Sequence, residues 1–111
     1  MSPKYRIVFD DDAISDLEGP RAYDRRAVVD VVQRLLASGP NRVSKSRIKR
    51  LRETRHPEYR LRVDEIRVFY DVTEDTVEIL AIIPKAEATA WLERYGARDD
   101  EPSKLDEESE S

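Results

Sequence analysis

Arginine carries the chemistry that this chain could do. Arg60 and Arg62 alternate within the run Tyr59–Val63, and Arg67 follows just beyond Asp64-Glu65. If Asp64-Glu65 is a two-residue turn, Val63 faces Ile66, Arg62 faces Arg67, Leu61 faces Val68 and Arg60 faces Phe69. One side of such a hairpin is apolar (Tyr59, Leu61, Val63, Ile66, Val68, Tyr70) and the other gathers Arg60, Arg62 and Arg67 beside Phe69 on a solvent-facing surface. Like charges set directly opposite across strands repel unless something compensates them. A nucleic acid would do so, because guanidinium forks match phosphate oxygens and an aromatic ring offers a stacking plane. Carboxylates such as Asp71, Glu53 or Glu58 could instead neutralise the trio. Asp-Glu is not a preferred hairpin dipeptide either, so a longer loop could shift the pairing.

The charge distribution sharpens the choice. The 111 residues carry a formal net charge of −4, yet residues 42–67 hold ten Lys/Arg against four Asp/Glu, a local excess of +6. Arg42, Lys45, Arg47, Lys49, Arg50, Arg52 and Arg55 supply most of it, and Arg47, Lys49, Arg50 and Arg52 are candidate RNA contacts with Phe69. Residues 99–111 hold one basic against seven acidic residues. A basic band inside an acidic chain suits a protein that meets polyanions on one face. There is no cysteine and a single histidine, His56, so neither a disulfide framework nor a metal site is expected, and no cofactor is implied. His56 would suit acid–base work but precedes Pro57 in a loop. No apolar run nears the roughly 18 residues of a membrane span, and the first residues do not read as a signal peptide; a cytoplasmic protein is expected.

The elements that must hold these residues follow from pattern. Lys4–Phe9 reads as a strand, and Asp10-Asp11-Asp12 supplies caps and dipole-matched charge for a short helix through Leu17. Gly19-Pro20 stops that helix. A second helix is predicted from about Arg21 to Ala37, with Val28, Val31, Val32, Leu35 and Leu36 as its buried stripe. The basic stretch reads as loop plus a short strand, and three antiparallel strands follow it. The last of them, Thr76–Ile83, is apolar almost throughout, as a strand covered on both faces would be. Lys85–Tyr95 reads as a helix closed by Gly96, and its apolar residues Trp91, Leu92 and Tyr95 are alternative anchors for a partner. The predicted fold is α+β: an N-terminal strand and helical hairpin packed on a small antiparallel sheet, with a C-terminal helix. Residues 1–96 form one domain, and 97–111 read as an acidic, disordered tail.

The order of these elements and the run EYRLRVDEIRVFYDV…VEILAI resemble the RelE/ParE superfamily of toxins from type II toxin–antitoxin systems. The resemblance covers about residues 4–95 and is sharpest from Tyr59 to Ile83. It implies a cognate antitoxin as partner. In the RelE-like branch it also implies metal-independent cleavage of mRNA on the ribosome, by attack of a ribose 2′-hydroxyl on the adjacent phosphate, so that translation stops. Arg60 and Arg62 match the family's alternating basic pair, Arg67 its next-strand arginine, and Lys85 a basic residue after the last strand; these four are the implied catalytic set. Two positions depart. The family's following arginine falls at Ala86 and its C-terminal tyrosine at Leu92, with Tyr95 one turn later. Arginine is a poor general base because its pKa exceeds about 12, which leaves Glu53, Glu58 and Glu87 as candidates for proton transfer. The resemblance equally admits a ParE-like inhibitor of DNA gyrase, or a member that mainly binds its antitoxin.

Overall fold

The computed structural model describes residues 5–18, 25–44, 47–52 and 54–96. Five strands form one mixed sheet in the order β1-β5-β4-β3-β2. These are β1 (Arg6–Phe9), β2 (Ile48–Arg50), β3 (Tyr59–Val63), β4 (Ile66–Val72) and β5 (Thr76–Pro84). Strands β2 to β5 pair antiparallel, as expected, whereas β1 joins β5 in parallel with Arg6 opposite Thr76 and Phe9 opposite Ile79. The chain must therefore cross from β1 at one edge of the sheet to β2 at the other, and helices make that crossing. They are α1 (Asp11–Glu18) and α2 (Arg25–Val31), the latter widening into a π-helical turn over Val32–Leu36. The predicted start of the second helix, and the tail 97–111, lie outside the described residues.

Both helices pack on one face of the sheet. Ala13, Val28, Val32 and Leu36 pack there against Leu61, Val63, Ile66, Val68, Tyr70, Val77, Ile79 and Ile82. Tyr70 is fully buried and stacks on Tyr59 with centroids 5.4 Å apart, while its hydroxyl donates to the Pro40 carbonyl. That bond satisfies a polar group which burial would otherwise penalise.

The opposite face holds a smaller core of Phe69, Ala81 and Ile83, covered by Ala88, Trp91 and Leu92 of α3 (Lys85–Tyr95). A register shift between Phe69 and Tyr70 sets Phe69 opposite Ala81 but Tyr70 opposite Ile79. The extra residue, Leu80, lets β5 feed both cores, which explains its nearly continuous apolar sequence. Helix α3 closes where expected: Gly96 donates its N–H to the Leu92 carbonyl. A Cβ at Gly96 would stand 2.6 Å from that oxygen and 3.1 Å from Thr54 Cγ2, so only glycine fits.

Candidate nucleic-acid interface

The arginine hairpin has the register read from the sequence. Val63 faces Ile66, Arg62 faces Arg67, Leu61 faces Val68 and Arg60 faces Phe69. Asp64, in the turn, takes a left-handed backbone with φ 52°, a conformation that aspartate tolerates better than most residues. Tight register fixes Arg60, Arg62 and Arg67 on one face, and Lys49 of β2 joins them opposite Arg60.

Their environments differ. Arg62 is exposed. Arg67 was expected on the solvent face, yet it is only 6 % exposed. One of its guanidinium nitrogens, Nη1, donates to the Asp64 carbonyl at 2.9 Å and to the Ile66 carbonyl at 3.0 Å. The side chain thus braces its own turn. Arg60 is half-buried, and its Nε is shielded from solvent with no acceptor among the described residues. Burial, then repulsion from Arg67 and Arg62, lowers the pKa of Arg60 from its ordinary value. Burial and Arg62 lower that of Arg67, against the pull of Glu65. Both remain guanidinium cations in water.

Among the described residues, the expected carboxylates Asp71 and Glu58 do not pair with the trio, and Glu65 acts on Arg67 without forming an ion pair. Asp71 accepts the Glu58 N–H at 2.8 Å through Oδ1 and contacts His56 Nδ1 at 2.9 Å through Oδ2. Glu58 in turn accepts the Val72 N–H at 3.0 Å. Both are occupied at the far end of the hairpin from its turn, and Glu53 lies outside the described residues. Among the described residues, no carboxylate forms an ion pair with Arg60, Arg62 or Arg67. His56 likewise sits in that remote cluster, after which a cis bond leads to Pro57.

The remaining candidates divide between the two faces. Arg50 falls opposite Tyr59, on the hairpin side, with its guanidinium carbon 5.3 Å from the ring centroid. It shields the edge of the main core and does not share the basic face. The Arg47 carbonyl accepts the Arg62 N–H at 2.8 Å, so Arg47 continues the β2–β3 register. Arg52 and Lys49 line a groove beside α3. Lys85 begins α3, and its N–H donates to the Glu65 carbonyl at 2.7 Å, pinning the helix start to the arginine turn. Ala86 and Glu87 follow it, both exposed.

Phe69 requires a correction. It was expected as an exposed stacking plane beside the arginines, but it is fully buried and stacks on Trp91 at 4.9 Å with 7° between the rings. The alternation was right; the missing fact was that α3 folds over half of this face. Of the anchors on α3, Trp91 and Leu92 are half-buried in the smaller core, whereas Tyr95 is 59 % exposed.

Sequence reasoning missed other placements. Thr54 is buried and donates to the Pro57 carbonyl at 2.8 Å. Asp16 accepts the Ile82 N–H at 2.9 Å, capping β5 beyond the reach of β1. Burial, then repulsion from Asp12 and Glu87, raises the pKa of Asp16, while that bond lowers it. No local pattern signals a partner 66 residues away.

Residues 7–89 match the family model described as the ParE toxin of type II toxin–antitoxin system, parDE. The structure is similar to that of the toxin–antitoxin complex RelBE2 from Mycobacterium tuberculosis, with TM-score 0.65 and 26% identity over 78% of this chain and 97% of that chain. It is also similar to the archaeal RelE–RelB complex from Pyrococcus horikoshii OT3 (TM-score 0.55, 26% identity, 74% and 96% covered). The RelB–RelE antitoxin–toxin complex from Methanococcus jannaschii shares the fold at 18% identity and TM-score 0.58, with 76% and 96% covered. No curated protein matches the chain in sequence.

Proposed function

The chain belongs to the ParE toxin family of type II toxin–antitoxin systems, and we propose that within that family it is a toxin directed at RNA, which binds mRNA on the ribosome along the face of Arg60, Arg62 and Lys49. One observation carries this reading. The guanidiniums gather on one face with no carboxylate partner among the described residues. Holding like charges together without compensation costs stability, which an incoming phosphate backbone repays. Arg62, exposed, and Arg60, half-buried, would hold the scissile phosphate and offset charge as the 2′-hydroxyl attacks. Lys85, at the start of α3, would contact the same strand, with Arg47 and Arg52 extending the track. Arg67 would act through the turn that it braces. No metal enters this scheme, and the activity would be that of a cytoplasmic endoribonuclease.

Two further observations favour a second reading, inhibition of DNA gyrase. The matching family model is a ParE toxin, and guanidiniums cannot take a proton from the 2′-hydroxyl. Toeprinting on translating ribosomes, run beside a gyrase supercoiling assay, separates the two. R62A should lose ribosomal cleavage by about 10- to 100-fold, as one charge-assisted contact is worth roughly 1.5–3 kcal/mol. Supercoiling inhibition without cleavage would replace the RNA reading with the gyrase one. Activity in neither assay would leave a member that mainly binds its antitoxin. That partner is itself proposed: the similar structures named above are complexes with antitoxins. An acidic antitoxin would suit the basic face, with exposed Tyr95 at its margin.

A further inference from the structure

Between α3 and the β2 edge runs a groove of about 450 Å³ whose walls include Lys49, Arg52, Thr54, Leu51, Leu92 and Glu93. Its floor is apolar and its β2 wall is cationic. The groove opens onto the arginine face, because Lys49 lies opposite Arg60. Helix α3 ends against it. Gly96 follows Tyr95, and a Cβ there would stand 3.1 Å from Thr54 Cγ2, one of the groove walls. The chain therefore leaves α3 at the mouth of the groove. The residues that follow include Asp99–Ser111, with seven carboxylates and one lysine.

We propose that the acidic segment Asp99–Ser111 occupies this groove and the adjoining arginine face, as an internal competitor of the RNA backbone. Reach permits it. Thirteen residues can span up to about 45 Å. The distance from β2 to β4 is only about 10 Å. Tethering at Gly96 sets a local concentration in the millimolar range, so even weak contacts with Lys49, Arg52, Arg60 and Arg62 would be populated. Leu105, the segment's one large apolar side chain, suits the floor formed by Leu51 and Leu92. The carboxylates must keep to the β2 wall, since Glu93 repels them on the helix side. The competition with RNA rests on the RNA reading above; the docking itself does not.

The cysteine-free chain allows one spin label on the full-length protein through S103C. Amide signals of Lys49–Thr54 and Thr89–Glu93 should broaden at low salt, and those of α1 and α2 should not. The broadening should vanish near 0.5 M salt, where exposed charges are screened. It should also vanish when the seven carboxylates of the segment become amides. A single-stranded RNA should displace the label, and the amidated segment should raise RNA affinity by roughly tenfold. Absent, uniform or helical-hairpin broadening would overturn the docking. RNA that binds without displacing the label would overturn the competition. Groove-specific broadening in a protein that neither binds RNA nor cleaves mRNA on the ribosome would reject the RNA reading and leave the docking standing.

Discussion

Arg62 and Arg67 face each other across the hairpin, yet alanine at the two positions should have unequal consequences for stability. Arg67 is 6 % exposed and its Nη1 serves two carbonyls of its own turn, at 2.9 and 3.0 Å. Hydrogen bonds to a charged group contribute about 1.5–3 kcal/mol each. Both come from one nitrogen, so the lower end applies to each. Removing the cation also relieves repulsion with Arg62 and Arg60. A net loss of about 2 kcal/mol remains, which for a domain of this size lowers Tm by roughly 8–16 °C. Arg62 is exposed and makes no ion pair among the described residues. R62A should stay within about 0.5 kcal/mol of the parent or gain slightly from the relieved repulsion. Urea denaturation followed by circular dichroism, at unchanged m-value, measures both. Equal stabilities for the two variants would refute the bracing role, as would a larger loss for R62A. The contrast bears on toxicity tests: a harmless R67A would report a weakened fold, and only R62A isolates the exposed contact.

Trp91 should prove structural: W91A removes the ring stacked on Phe69 and should cost about 2–4 kcal/mol in urea melts, Trp91 being only half-buried. A loss below about 1 kcal/mol would mean that α3 is not held through this stack. Glu78 makes stability depend on pH. A hydrogen bond with the Asp10 side chain, then burial and repulsion from Asp10 and Asp71, raises its pKa, against the opposing effect of His56. The folded state then holds the proton more tightly, so stability falls as pH climbs from the ordinary glutamate range through the raised value. Tm measured against pH should show that fall, flattened in E78Q, with a remainder from Asp16, whose pKa is also raised. An unchanged slope in E78Q would exclude the Asp10–Glu78 pair as its source. D16A takes the acceptor from the Ile82 N–H and should cost about 0.5–1.5 kcal/mol, read as faster amide exchange at Ile82; unchanged exchange would show that the bond is idle.

How much could be read beforehand depended on whether the governing contacts were local. The β3–β4 register followed from a two-residue turn and strict alternation, because a slip of one residue would have put three arginines into the main core. The limits of α3 followed from Pro84 before it and Gly96 after it. Two features had no local signal. The parallel pairing of β1 with β5 joins segments about 70 residues apart. The folding of α3 onto the Phe69 face turns on Ala81, Ile83 and Leu51, whose pattern says they are buried but not beneath what. Phe69 was misread for that reason: alternation gave its face, and only the tertiary structure showed that the face was covered.

That covering has a chemical consequence. One surface of the sheet serves as a small core under α3 and, towards the arginine turn, as a basic site. A guanidinium near the boundary gains field strength from the lower dielectric but loses freedom to move. Arg67 lies on the buried side of that boundary, Arg60 at it and Arg62 beyond it. The three thus grade from a buried brace to an exposed side chain, and under the RNA reading they are not three equivalent ligands for phosphate. Of the groups considered for proton transfer, His56 and Glu58 are tied up with Asp71 and the backbone at the other end of the hairpin, while Glu87 follows Lys85 at the start of α3. Under the RNA reading, the cations can stabilise a phosphorane-like charge while the proton acceptor comes from elsewhere. Cleavage of free RNA in solution should accordingly be slow, and activity should appear only where the ribosome fixes the strand and completes the site. Efficient cleavage of naked RNA by the purified protein would show that this division of labour is wrong.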